Sequence, residues 1–98
     1  MSDQAPLTSE ALFRELTSLT GWSGDASRIS RTIDAPSFLT GVDLVHRIGV
    51  LAEALNHHPD IDIRWRRITF VLTTHDSGGV TGRDLVLARG IDRLVSAI

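Results

Sequence analysis

The chain has no cysteine, and all ten of its Lys-plus-Arg positions are arginine. Without cysteine there is no disulfide, no thiolate nucleophile and no zinc-thiolate site, and the redox compartment leaves no mark on the sequence. Without lysine, lysine Schiff-base chemistry is excluded. No apolar run approaches the roughly 18 residues that a membrane-spanning helix needs. Met1 to Thr8, with Asp3 inside it, lacks the apolar centre of a signal peptide, so a flexible amino terminus and a cytoplasmic location are expected. The formal net charge is −2. Nonspecific binding to nucleic acid or to an anionic membrane would need a clustered basic excess, so neither is expected as a partner.

What remains describes an ordinary globular chain. It has 98 residues, 42% of them hydrophobic and 22% charged, too apolar for disorder and long enough for one domain over residues 1–98. A chain of this size removes only roughly 60 to 70% of its unfolded surface from water, which leaves little material for a deep internal pocket. A site should therefore be shallow or shared between subunits.

Periodicity gives the order of elements. Ser9 is placed to cap a first helix from about Glu10 to Leu19, with Leu12, Phe13, Leu16 and Leu19 as its apolar stripe and Gly21 as its end. Gly24 to Ser27 reads as a turn, and Arg28 to Ile33 alternates as a half-buried strand, so a hairpin with a short first strand follows Trp22. Asp34-Ala35-Pro36 breaks it. A longer helix from Pro36 or Ser37 to about His57 carries Phe38, Val42, Val45, Ile48, Leu51, Ala52 and Leu55 on one side, with Asp43 and Arg47 facing away. Ile61, Ile63 and Trp65 alternate as a strand. The phase then changes across Arg66-Arg67 to Ile68, Phe70 and Leu72, as at a tight connection or bulge. Thr81 with Asp84 three residues on resembles a capping box, opening a last helix with Leu87, Ala88, Ile91, Leu94, Val95 and Ile98 on one side. The order α-β-β-α-β-β-α implies two antiparallel hairpins covered by helices, an α+β sandwich. The edge of so small a sheet is a natural place for a second subunit.

Three of the four histidines fall between Glu53 and Asp84. Glu53 and His57 are four residues apart, which makes them neighbours on one helix face. Pro59 drives His58 out of the helical region, so the adjacent histidines point in different directions. His75 is expected at a strand end, on the side away from the core. Histidines so concentrated suit proton transfer near neutral pH, and the window reads as an acid-base site. Each also has a plainer reading. A histidine at a helix end can simply complement the helix dipole, Glu53 can be no more than a helical partner of His57, Asp84 can be only a capping residue, Trp65 can be core, and Arg83 can be solvated. A zinc shell is disfavoured, because histidines split by a proline lack the i, i+4 spacing that presents two ligands from one helix face. His46 reads as a surface residue.

The spacing adds to this. Glu53, then His57-His58-Pro59, Trp65, His75 and Asp84 follow the pattern of the pterin-4a-carbinolamine dehydratases without a gap. Ser30-Arg31-Thr32, Thr74-His75-Asp76, Gly78-Gly79 and Arg83 support the resemblance, which spans roughly residues 10 to 95. Two stretches depart from it: Ile33 to Pro36, where the family is often aromatic-rich, and Thr40-Gly41, where better helix formers are common. The resemblance implies dehydration of 4a-hydroxytetrahydrobiopterin, or a related reduced pterin, to the quinonoid dihydropterin and water, with no metal or organic cofactor. By position it makes His57, His58 and His75 look like the catalytic histidines, and Glu53, Pro59, Trp65, Arg83 and Asp84 the surrounding substrate pocket. It also implies an α+β fold with a four-stranded antiparallel sheet and three helices, and homodimers or homotetramers. Vertebrate relatives double as dimerisation cofactors of a homeodomain transcription factor, so a non-catalytic assembly role is the alternative expectation.

Overall fold

The computed structural model describes residues 5–98. Its elements are α1 (Ser9–Thr17), β1 (Ser23–Asp25), β2 (Arg28–Asp34), α2 (Phe38–Leu55), β3 (Asp60–Arg64), β4 (Arg67–Leu72), a short 3₁₀ turn (His75–Ser77) and α3 (Gly82–Ser96). The four strands form one antiparallel sheet in the order β1-β2-β4-β3. This is the α+β architecture that the periodicity predicts.

Register explains which face is buried. Ile29 pairs with Leu72 and Ile33 with Ile68 across β2 and β4, while Ile61 pairs with Phe70 and Ile63 with Ile68 across β3 and β4. Side chains alternate along a strand, so these residues share one face. There Ile29, Ile68, Phe70 and Leu72 join Leu44 and Ile48 of α2 and Leu87, Ala88 and Ile91 of α3 in a single core. The opposite face is polar, with the hydroxyls of Thr32 and Thr69 paired across the strands at 2.9 Å. Arg31 lies on the core side and is neutralised there: it and the Trp22 indole both donate to Asp92 of α3, at 2.6 and 2.8 Å.

Several expectations are corrected. Thr8 rather than Ser9 caps α1, its hydroxyl accepting from the Ala11 N–H at 3.1 Å. Of the amino-terminal stretch expected to be flexible, residues 1–4 lie outside the described residues. Leu7, in its remainder, donates its N–H to the Val80 carbonyl at 2.9 Å. Phe13 is 71% exposed and does not belong to the buried stripe of α1. On α2 the buried line is Gly41, Leu44, Ile48 and Ala52, whereas Phe38 and Val42 are exposed. Gly41 explains the rotation. A Cβ there would lie 3.1 Å from the Ile68 Cδ1 and 3.3 Å from the Ala35 Cβ, so the helix approaches the sheet along its glycine side.

Candidate functional site

The carboxyl end of α2 decides how the histidines separate. Asn56 adopts the left-handed conformation (φ 50°, ψ 43°), with its N–H bonded to the Glu53 carbonyl and the His57 N–H bonded back to the Ala52 carbonyl. That pattern is a Schellman ending, for which asparagine is the usual substitute for glycine. The helix therefore stops at Leu55, two residues earlier than periodicity predicts, and the reversal swings His57 inward. It is not the helical neighbour of Glu53. Glu53 instead pairs with His58 Nε2, and both side chains are exposed.

His57 finds a different carboxylate. Its Nε2 lies 2.6 Å from the Asp84 Oδ1, with the ring almost wholly buried and Asp84 fully so. Asp84 stands in the first turn of α3, placed there by the capping box: Thr81 N–H donates to its Oδ2 at 2.9 Å, and the Thr81 hydroxyl accepts from the Arg83 N–H at 3.2 Å. One oxygen of Asp84 thus serves the cap and the other faces His57. The Thr74 hydroxyl donates to the same Oδ2 at 2.8 Å and lies 2.8 Å from the Thr81 hydroxyl. With Asp84 as a carboxylate, which only accepts, the Nε2 of His57 carries the proton of that bond and Nδ1 is the other ring nitrogen.

Arg83, next to Asp84, reaches back across this junction, its Nη2 donating to the Asn56 carbonyl. With Leu55, His57 and Val86 it lines a depression of about 280 Å³. His58 and Glu53 line a second of about 620 Å³ together with His46, Gly49 and Val50. His75 lies in the 3₁₀ turn beyond β4 rather than at the strand end, and lines a third of about 600 Å³ with Ser27, Arg28, Thr73, Gly78 and Gly79. Gly79 makes the close approach in this groove: a Cβ on it would fall 2.5 Å from the Ala26 carbonyl oxygen.

The structure thus joins His57 to Asp84 and His58 to Glu53, and connects the His75 turn to Asp84 through Thr74. Pro59 separates the histidine pair from β3. Trp65 is not brought to them. It is the first residue of the two-residue turn between β3 and β4, 71% exposed, with φ 53° and the Arg66 guanidinium 4.5 Å from its ring centroid. At about 3.3 Å per residue, β3 holds it roughly 20 Å from Pro59. Thr74 and Thr81 are the contributors that sequence reasoning passed over as site residues. Thr81 was visible as a cap, but nothing local marks Thr74 as a partner of a carboxylate ten residues on. Among the described residues, no group of three or more His, Asp or Glu side chains converges as a metal shell would require.

The profile of the family described as Pterin 4 alpha carbinolamine dehydratase matches residues 5–94. The chain belongs to this family. A relative from Nocardia farcinica that bears the dehydratase's name is 50% identical over 88 residues, covering 90% of this chain and 93% of its own. One from Mycobacteroides abscessus is 48% identical over 88 residues, covering 90% of this chain and 94% of its own. Among solved structures, the transcriptional coactivator/pterin dehydratase from Brucella melitensis superimposes with a TM-score of 0.86 at 29% identity, over 90% of this chain and 96% of that one. A pterin dehydratase-like RuBisCO assembly factor of the alpha-carboxysome shares the fold, with a TM-score of 0.61 at 16% identity, over 74% of this chain and 84% of its own. The segment from Glu53 to Asp84 is where this chain concentrates its histidines and, among the described residues, the one fully buried carboxylate.

Proposed function

We propose that the protein dehydrates a 4a-hydroxytetrahydropterin, 4a-hydroxytetrahydrobiopterin or a close relative, to the quinonoid dihydropterin and water. The observation that carries this reading is the buried His57–Asp84 pair at the mouth of a depression shared with Arg83. In the reaction the C4a–O bond breaks as a ring-nitrogen lone pair forms the C=N bond. The departing oxygen takes a proton and leaves as water, while a ring nitrogen gives one up. No electrons are exchanged with a second reagent, so two positioned proton carriers suffice. Positioned proton transfer of this kind typically contributes about 10² to 10⁴-fold.

His57 and His75 divide the acid and base roles, and His58, turned out by Pro59 and held by Glu53, binds the pterin or its hydroxyl. Asp84 holds His57 in one tautomer, so that proton exchange with substrate runs through Nδ1. Arg83, beside His57, supplies a fixed hydrogen-bond fork for the polar edge of the pterin. Of these groups His57 is the one that burial and Asp84 orient most tightly, and such orientation is where a shallow site gains its rate. Stopped-flow measurement of 4a-hydroxytetrahydropterin decay tests the activity directly. Acceleration by stoichiometric protein supports it, and decay at the buffer rate removes it.

A second reading is an assembly role within a homo-oligomer or toward a protein partner. It is favoured by the similar Brucella protein, described as both a transcriptional coactivator and a pterin dehydratase, and by exposed apolar side chains on α2, Leu39 at 76% and Val50 at 60%. Tight capture of a protein partner by an enzyme-dead preparation would favour it. The buried His57–Asp84 pair beside an open depression favours catalysis.

A further inference from the structure

Resting on the dehydratase reading, we propose that Thr74 is a positioning residue that locks the two histidine-bearing segments to each other through its hydroxyl. Its side chain and its backbone are engaged on opposite sides of the site. The hydroxyl donates to the Asp84 Oδ2 at 2.8 Å, and Asp84 in turn accepts from His57. The backbone holds the turn that carries His75: Thr74 N–H bonds to the Gly79 carbonyl at 3.1 Å, and its own carbonyl accepts from Ser77 at 3.0 Å and Gly79 at 3.3 Å. His75 is the next residue along the chain. One threonine thus sits between the carboxylate that aims His57 and the turn that aims His75.

Proton bookkeeping fixes the direction of the network. The Thr74 proton is committed to Asp84, so the contact between the two hydroxyls at 2.8 Å runs from Thr81 as donor to Thr74 as acceptor. The Thr81 oxygen is then free to accept from the Arg83 N–H. All donors point one way, toward Asp84, and the three members Thr74, Thr81 and Asp84 are buried. Buried polar chains of this sort are rigid when fully satisfied, and leaving one member unpaired is costly. A helix cap alone would need only Thr81 and Asp84. The two cap bonds, Thr81 N–H to the Asp84 Oδ2 and Arg83 N–H to the Thr81 hydroxyl, form without the Thr74 proton, which goes to the oxygen that the Thr81 N–H already occupies. Its effect is to fix the rotation of the carboxylate and with it the His57 ring.

The experiment compares Thr74→Ser, Thr74→Val and Thr74→Cys in the full chain, with two readouts. The first is steady-state dehydration of a 4a-hydroxytetrahydropterin. The second, independent of turnover, is the downfield ring N–H proton of His57 in ¹⁵N-labelled protein, visible while the bond to Asp84 shields it from exchange. Thr74→Ser, which keeps the hydroxyl, is expected to retain wild-type kcat and the N–H signal. Thr74→Val is expected to lower kcat about 10 to 100-fold with KM changed less than about twofold, and to broaden the signal away. Should the valine variant fail to fold, Thr74→Cys, a weak donor of similar size, carries the same expectation. A purely structural threonine would leave kcat per folded molecule and the N–H signal unchanged in the valine or cysteine variant. That result, or a serine variant as slow as valine, overturns the proposal. A wild-type protein that does not accelerate dehydration but whose His57 signal still depends on the Thr74 hydroxyl would remove the dehydratase reading and leave the positioning role standing.

Discussion

His57 and Asp84, twenty-seven residues apart, meet at 2.6 Å in a buried pair that no local sequence spacing would form. Three bonds converge on the carboxylate: His57 on one oxygen, Thr74 and the Thr81 N–H on the other. Asp84→Asn preserves shape but presents an amide NH₂ to one of these donors. The variant should lose about 10² to 10⁴-fold in kcat if the amide faces His57. It should lose about 1 to 3 kcal/mol of stability if the amide faces the cap instead. Kinetics together with urea denaturation separates the two, and an asparagine variant unchanged in both would contradict the pairing.

Glu53 and His58 form the opposite kind of pair, with both partners open to water. An exposed ion pair is worth about 0 to 1 kcal/mol, so Glu53→Gln should be nearly silent in denaturation. Its effect should fall on KM, because the proposed role of His58 is to hold substrate. A loss of stability well beyond that range would show that Glu53 has a structural task.

Asp25 gives a pH effect whose sign can be worked out. Its carboxyl is held below the usual carboxylate range first by the Ser27 hydroxyl, then by the Ser27 N–H, with Arg28 nearby. A depressed folded-state value means that the contribution is fully present above the unfolded pKa and is lost as pH falls through the lower folded value. Ser27→Ala should therefore reduce thermal stability near neutral pH, and the difference from wild type should shrink in acid. A difference that grows on acidification would reverse the assignment.

Gly79 sets how closely the His75 turn docks on the β1–β2 hairpin. Because the atom that a Cβ would strike is the Ala26 backbone oxygen at 2.5 Å, no side-chain rotation relieves the clash. Gly79→Ala should cost about 1 to 3 kcal/mol by overpacking, measured by chemical denaturation, and should impair turnover through His75. An alanine variant of wild-type stability would show that the two segments are not held so tightly.

The sequence carried the architecture because burial follows period. Ile68, Phe70 and Leu72 alternate into the core as their spacing requires, and Thr81 with Asp84 forms the capping box. Where the structure departs from the periodicity, a tertiary effect prevails. Gly41 turned α2 so that Leu44 replaced Val42 in the core. Asn56 ended the helix in a left-handed residue, and that exchanged the partners of two histidines: Glu53 went to His58, and His57 went to a residue on another helix. The signal was available, since asparagine before a short polar segment and proline is a known helix stop, but periodicity alone carries a helix past it. Trp65 matched in spacing, yet its position at the hairpin turn takes it away from the histidines. Thr74 was invisible as a site residue because its partner is defined by two elements meeting in space.

The most direct test of the central claim is stopped-flow dehydration of a 4a-hydroxytetrahydropterin by the wild type and by His57→Ala, His58→Ala and His75→Ala. The wild type should accelerate the reaction, with His57→Ala and His75→Ala each lowering kcat by about 10² to 10⁴-fold. His58→Ala should act mainly on KM. Rates that are the same in all three variants as in the wild type would contradict the account.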